Sequence, residues 1–194
     1  MHPILLASSS PSRLKLMQKM NIAFQTASPN IDESQLPDET SYDMVCRLAQ
    51  KKAQAVVAMP ETLIVASDQI IQVDSKILGK PNDYAHAFDQ LNFCRGKIAK
   101  SLTSLYVVCK KTGFSRTTCV ITKISYRNFR TTDIKNYLQT HRPYECAGSI
   151  RIETDGHLLI SALSSDDPYA IYGLPLLSLT TYLLEAGITI PCKI

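Results

Sequence analysis

The sequence predicts an α/β protein with at least part of its sheet parallel. Strand-like apolar runs alternate with amphipathic helical segments along the chain. The 194 residues are 45% hydrophobic and 20% charged, enough for one globular domain over 1–194 that buries roughly 70% of its unfolded surface without disulfide or metal staples. No repeat, linker or low-complexity block divides the chain, so two lobes would have to share one sheet rather than hang from a tether.

Each element follows from local chemistry. Residues 4–7 form a short apolar strand that runs into the polar turn Ser8-Ser9-Ser10-Pro11. Leu14, Leu16, Met17 and Met20 then mark a helix with Pro11 in its first turn. A second helix is expected over 41–58, where Val45, Leu48, Ala49, Lys52, Ala53 and Val56 recur at helical spacing after the polar entry Asp38-Glu39-Thr40-Ser41. Residues 63–71 read as a buried strand, followed by a turn through 74–76 and the segment Leu78-Gly79-Lys80-Pro81. A third helix covers 83–93 and stops before Arg95-Gly96. Long strands at 101–110 and 117–126 form a hairpin turning near Thr112-Gly113. The last third is expected to hold a helix at 132–141, a loop through Ala147-Gly148-Ser149, short strands at 150–153 and 157–163, and a helix at 176–186 ended by Gly187.

Charge and cysteine usage narrow the function classes. Lys and Arg number 21 against 17 Asp and Glu, a net +4 that favours an anionic small molecule and falls short of a nucleic-acid footprint. Five Phe and nine Tyr are dispersed without an RNA-binding aromatic motif. No apolar run approaches the length of a membrane span and no leader precedes the first strand, so a cytoplasmic protein is expected, with no membrane or nucleic-acid partner. Cys46, Cys94, Cys109, Cys119, Cys146 and Cys192 form no C-x-x-C pair and lie near no histidine at zinc-ligand spacing, which predicts reduced thiols.

Four groups of residues could carry chemistry. The turn from Ser8 to Arg13 offers backbone N–H groups, hydroxyls, a helix N-terminus and a guanidinium fork, all suited to a phosphate; read alone, it is equally a capped helix with a surface arginine. Asp68 ends the apolar run Leu63-Ile64-Val65-Ala66-Ser67, where a carboxylate leaving the C-terminal end of a buried strand meets ligands in α/β sheets; its plainer role is a turn cap. Asp32 and Glu33 could hold Mg2+ together with Asp68 if the fold brings them close, or be merely solvated. Of Lys51 and Lys52 one should be ordinary surface, and Gly79-Lys80-Pro81 is a constrained turn that could aim an ammonium into a cleft. Walker, G-x-S-x-G, H-E-x-x-H and G-x-G-x-x-G patterns are absent.

In order along the chain, Ala7-Ser8-Ser9-Ser10-Pro11-Ser12-Arg13, Ile31-Asp32-Glu33, Arg47-Leu48-Ala49-Gln50-Lys51-Lys52-Ala53, Ser67-Asp68-Gln69, Gly79-Lys80-Pro81, Cys146-Ala147-Gly148-Ser149 with Glu153, and Tyr172-Gly173-Leu174-Pro175-Leu176 resemble the motifs of the Maf family of nucleotide pyrophosphatases. The resemblance covers nearly the whole chain. It implies an α/β, Maf/ITPase-like fold with a long central mixed sheet, two lobes flanking an active-site cleft, and often a homodimer. It further implies hydrolysis of a nucleoside triphosphate between the α and β phosphates, dependent on a divalent cation, Mg2+ with Mn2+ as an alternative. Carried over by position, Asp68 would be the general base, Glu33 and Asp68 the metal-site carboxylates, and Ser8, Arg13, Lys52 and Lys80 the phosphate-gripping set.

Three positions speak to the base. Where members acting on dTTP and UTP typically show an Arg, an Asp-Thr pair and a Gln, this chain has Ser12, Asp68-Gln69 and Glu153. Gln69 and Glu153 resemble the branch of 7-methyl-GTP pyrophosphatases, and a carboxylate suits a guanine made cationic by N7 methylation. That branch usually carries a Trp at the position of Ser12, and Ser12 cannot stack on a base. At Leu102-Thr103-Ser104-Leu105 the family usually has Thr-Gly, and a serine there is expected to crowd a backbone approach. The alternatives are a dTTP/UTP pyrophosphatase of the same family and a nucleotide-binding regulator of cell division with little turnover.

Overall fold

The computed structural model describes residues 2–190; Cys192 lies outside them. The two edges of one strand set the architecture. β1 (Ile4–Ala7) is buried along its whole length and pairs in parallel with β2 (Gln25–Ala27) on one side and with β3 (Leu63–Val73) on the other. Short β4 (Lys76–Leu78) pairs antiparallel with the far end of β3. The sheet continues through β5 (Ile98–Cys109), β6 (Phe114–Tyr126) and β7 (Ile160–Ser164), giving seven strands of mixed direction. The predicted α/β class with a long mixed central sheet is therefore present.

Alternation along the strands divides the core. Ile4, Leu6, Leu63 and Val65 join Leu105 and Val107 in one cluster with α1 (Pro11–Lys19) and α5 (Leu176–Glu185). Leu5, Ala7, Ile64 and Ala66 join the opposite cluster with Ala53 and Val56 at the end of α2 (Ser41–Ala55). Successive strand side chains point to opposite faces, so neighbours in sequence serve different helices.

Helix ends follow the capping chemistry. The Ser10 side chain caps α1 with Pro11 at its start, and Thr40 caps α2 by accepting from Asp43 N–H. Asp83 caps α3 (Tyr84–Cys94), and Asp133 accepts from the Arg130 N–H at the start of α4 (Thr131–His141). The buried Asp167 carboxylate accepts from Leu177 and Ser178 N–H and so caps α5 from outside the helix.

Several boundaries differ from the sequence reading. The second helix stops at Ala55 rather than 58, because Val56 turns extended ahead of a second valine and Pro60. The strand expected at 150–153 is a turn: Thr154 and Gly156 N–H both bond to the Arg151 carbonyl, and the Arg151 N–H goes to the Tyr137 hydroxyl. Residues 157–163 are a short 3₁₀ turn (Gly156–Leu158) followed by β7. β5 starts three residues early, at Ile98.

The chain divides into two compact units, and β3, β5 and β6 contribute residues to both. Within the described residues the first contains 2–69, 103–120 and 167–190, and the second contains 70–102 and 121–166. No helix among the described residues is long and apolar enough to cross a membrane.

Candidate active site

In the first unit, β1 ends at Ala7, opposite Ala66, while β3 runs on to Val73. Asp68 therefore lies in mid-strand, not at the strand's end as the sequence suggested, but two residues past the last pairing with its parallel neighbour. The C-terminal edge where ligands meet α/β sheets is here the end of β1. The chain leaving that end is the serine turn.

Ser8 Oγ accepts from the Ser10 N–H at 3.1 Å and from Arg13 Nη1 at 3.5 Å. Arg13 Nε donates to the Gly173 carbonyl at 2.8 Å. The guanidinium is thereby fixed between the first turn of α1 and the loop before α5. Its enclosure by protein lowers its pKa from the ordinary arginine range, and the charges of Asp68 and Glu33 oppose that shift.

From the other face of the sheet, α2 buries Met44, Val45, Leu48, Ala49, Lys52 and Ala53. Lys52 thus occupies a core position while Lys51 is exposed. Its ammonium donates to Asp68 Oδ1 at 2.5 Å and lies 2.8 Å from Glu33 Oε1. Lys52 and Asp68 are 6% and 4% exposed, so the pair is desolvated and each member depends on the other.

Parity along β3 sorts three consecutive residues. Asp68 faces α2, whereas Ser67 and Gln69 face the loop that leads to α5. Ser67 Oγ is 2.6 Å from the Ser104 carbonyl and 2.7 Å from the Gly173 carbonyl. Gln69 Nε2 lies 3.0–3.1 Å from Thr103 Oγ1 and the Ala170 and Ile171 carbonyls. These acceptors fix which way the amide points. Ser12 sits on the first turn of α1 beside Arg13.

Asp32 does not join the cluster. Its Oδ1 accepts from the Ser34 N–H and Oγ–H, which hold the carboxyl below its usual range and turn it toward its own loop. Among the described residues no group of three His, Cys, Asp or Glu side chains converges. What converges is a pair, Glu33 and Asp68, on one positive centre. Two hard carboxylates meeting at a point fit a divalent cation of the Mg2+ type, which takes one or two carboxylates and completes its shell with water and phosphate.

Lys80 and Glu153 belong to the second unit. Lys80 is exposed, 3.5 Å from Glu145, and the preceding Gly79 carbonyl accepts from the Gly148 N–H and Gln90 Nε2. Glu153 lies in the turn after Arg151 and raises that guanidinium's pKa, behind the larger contribution of Cys146. The five described cysteines are free thiols. Burial pushes Cys94 up to about 11 and Cys119 up to about 12, which makes them poor nucleophiles at neutral pH.

Two supporting residues stand in the motifs but were given no role from the sequence. Arg47 grips both Glu39 oxygens, at 2.5 and 2.7 Å, and the Ser34 carbonyl at 3.0 Å, which anchors the loop just after Glu33. The Gly173 carbonyl accepts from Arg13 and lies 2.7 Å from Ser67 Oγ. At φ +94° the residue sits in the left-handed region, and a Cβ there would come 3.2 Å from Arg13 Nε. A glycine just before Leu174-Pro175 was the available signal. Ser104, expected to crowd the backbone, instead spends its hydroxyl on Val45 and Asp68.

Comparison with known proteins identifies the family. A family model described as Maf-like protein matches residues 3–186. A protein of Hydrogenovibrio crunogenus named 7-methyl-GTP pyrophosphatase is 41% identical over 189 residues, covering 97% of this chain and 94% of its own. Proteins of the same name from Albidiferax ferrireducens and Pseudomonas syringae pv. syringae are each 38% identical, over 96% and 98% of this chain and 94% and 100% of theirs. With the serine turn, the buried Lys52–Asp68 pair and Glu33 assembled at the end of β1, and with a match along nearly its whole length, the chain belongs to the Maf family.

Proposed function

We propose that the chain is a nucleoside triphosphate pyrophosphatase that cleaves the α–β phosphoanhydride of 7-methyl-GTP to give 7-methyl-GMP and diphosphate. The observation that carries this reading is the buried Lys52 ammonium held by Asp68 and Glu33, with the Arg13 guanidinium in electrostatic range. The names of the full-length relatives support the substrate.

The charges explain why a cation belongs in the reaction. Arg13 and Lys52 are balanced by Asp68 and Glu33, so the cluster offers no net positive charge to a triphosphate bearing about four negative charges. A divalent cation held by Glu33 and Asp68, Mg2+ with Mn2+ as a substitute, would supply the missing neutralisation of the phosphate oxygens. The chain's own groups do the rest. Arg13 and the Ser8 turn bind phosphate oxygens through N–H and O–H donors, and Lys52 exchanges a carboxylate partner for phosphate. Asp68 accepts the proton of the water that attacks the α phosphorus as the bond to the bridging oxygen breaks and diphosphate departs.

The roles of Lys80 on phosphate and of Gln69, Ser12 and Glu153 on the base rest on the motif match. The charge argument for the base is chemical: a carboxylate at Glu153 pairs with the cationic ring of 7-methylguanine and accepts from its N1–H and amino group. A panel of triphosphates assayed with Mg2+ tests the proposal. Rapid release of diphosphate from 7-methyl-GTP with slow turnover of dTTP and UTP is expected; equal or faster turnover of dTTP would favour the pyrimidine-directed alternative. Glu153→Gln should lower the preference for 7-methyl-GTP over GTP.

A further inference from the structure

Ser104 is buried on β5, on the sheet face that α2 covers, and its hydroxyl makes three contacts. Oγ lies 2.6 Å from the Val45 carbonyl, accepts from the Asp68 N–H at 3.2 Å, and lies 3.3 Å from the Asp68 carbonyl. A serine has one proton to give and lone pairs to accept with. The short contact takes the proton to Val45, and the acceptor side takes the Asp68 N–H.

Val45 and Lys52 are both buried on α2, seven residues and therefore two turns apart on one side of the helix. The helix is thus held at two points by one residue of β3. The Asp68 side chain reaches Lys52, and its main chain reaches Val45 through Ser104. The result is a closed circuit: Asp68 carboxylate, Lys52 ammonium, two turns of α2, Val45 carbonyl, Ser104 hydroxyl, Asp68 N–H. Without the hydroxyl the carboxylate keeps its charged partner, but its backbone loses its tie to the helix that carries Lys52.

We infer that Ser104 is a positioning residue for Asp68, fixing the carboxylate relative to α2 so that it meets the attacking water in one orientation. The inference rests on the reading of Asp68 as the base. Its structural half, the hydrogen-bonded tie itself, stands apart from that reading.

The test uses the full chain with Ser104→Ala, Ser104→Gly and Ser104→Thr. Two quantities are read, kcat and KM for 7-methyl-GTP with Mg2+, and hydrogen exchange at the Asp68 amide in the nucleotide-free protein. Alanine and glycine should lower kcat about tenfold or more with KM nearly unchanged, since orientation and not ground-state binding is lost. They should also raise exchange at Asp68 about tenfold while the amides of Leu63–Val65 keep their protection. Threonine retains the hydroxyl and should restore both. A kcat within twofold of wild type in Ser104→Ala, a loss carried by KM, or unaltered exchange at Asp68 would overturn the assignment. If the wild type hydrolyses no triphosphate, the proposed function fails, and the exchange data alone decide whether the tie exists.

Discussion

The Lys52 ammonium, on a core-facing position of α2, lies 2.5 Å from Asp68 Oδ1 in the middle of β3, and both residues are almost sealed from solvent. An ion pair in this position has given up its hydration, and each charge is tolerated because the other is there. Removing one charge should therefore cost more than removing both.

Lys52→Met strands the Asp68 carboxylate and should destabilise the fold by about 3–5 kcal/mol. The double variant Lys52→Met, Asp68→Asn should recover most of that loss while remaining inactive. Urea unfolding of the wild type, Lys52→Met, Asp68→Asn and the double variant reads the difference. Additive losses in the double variant would show that the two groups are not coupled.

Asp68→Asn keeps the shape of the side chain and removes its capacity to accept a proton. Hydrolysis of the triphosphate should fall by about 10²-fold or more. Nucleotide affinity, measured by calorimetry with a non-hydrolysable α–β analogue in the absence of divalent cation, should be retained, because Ser8, Arg13 and Lys52 are untouched. Residual turnover close to wild type would assign the base elsewhere.

Gly173→Ala places a Cβ 3.2 Å from Arg13 Nε on a backbone at φ +94°. The backbone term alone should cost about 1–2 kcal/mol. Because the same residue's carbonyl aims Arg13, KM for the triphosphate should rise beyond what the stability loss explains. An Arg13→Ala protein should show no further increase when Gly173→Ala is added, and an increase there would sever the link between the two residues.

Arg47 holds the Glu39 carboxyl down to about 2 from its ordinary 4.5, chiefly through its side-chain hydrogen bonds. A carboxyl lowered by folding stabilises the native state above its unfolded pKa and loses that contribution as pH falls toward the folded value. The stability gap between wild type and Glu39→Gln should therefore be constant above about pH 4.5 and close between 4.5 and about 2. Denaturation curves across that range measure it. A gap that persists unchanged to pH 2 would mean that Glu39 titrates normally.

What could be read from the sequence was what depends on neighbours in the chain. The serine turn, Pro11 at the helix start and the core-facing stripe of α2 are written at spacings of one to four residues, and they placed Ser8, Arg13 and Lys52 where the structure has them, whereas Asp68 fell in the right strand but at its middle and not its end. β2 and β4 were not legible, since each has three residues and owes its extended form to the strand it pairs with. The alternation of Ile150 and Ile152 imitates a strand, but the donors of that stretch are spent on the Arg151 turn and the Tyr137 hydroxyl. The bond from Arg13 to Gly173 spans 160 positions, and no local pattern announces it. Asp32 and Glu33 looked equivalent as adjacent carboxylates, and only their contacts, Asp32 with Ser34 and Glu33 with Lys52, separate them.

The division of labour among Ser67, Asp68 and Gln69 carries a constraint on how this stretch can vary. A single-residue insertion in β3 between Ala66 and Ser67 would exchange the faces of all three, sending the carboxylate toward Gly173 and an amide or hydroxyl toward Lys52. Changes of length here are tolerable only in twos, whereas the exposed turn at Asp74 and the loop ending at Asp38 have no such parity to keep. Length variation among functional relatives should accordingly collect in those loops and leave the distance from Leu63 to Gln69 constant.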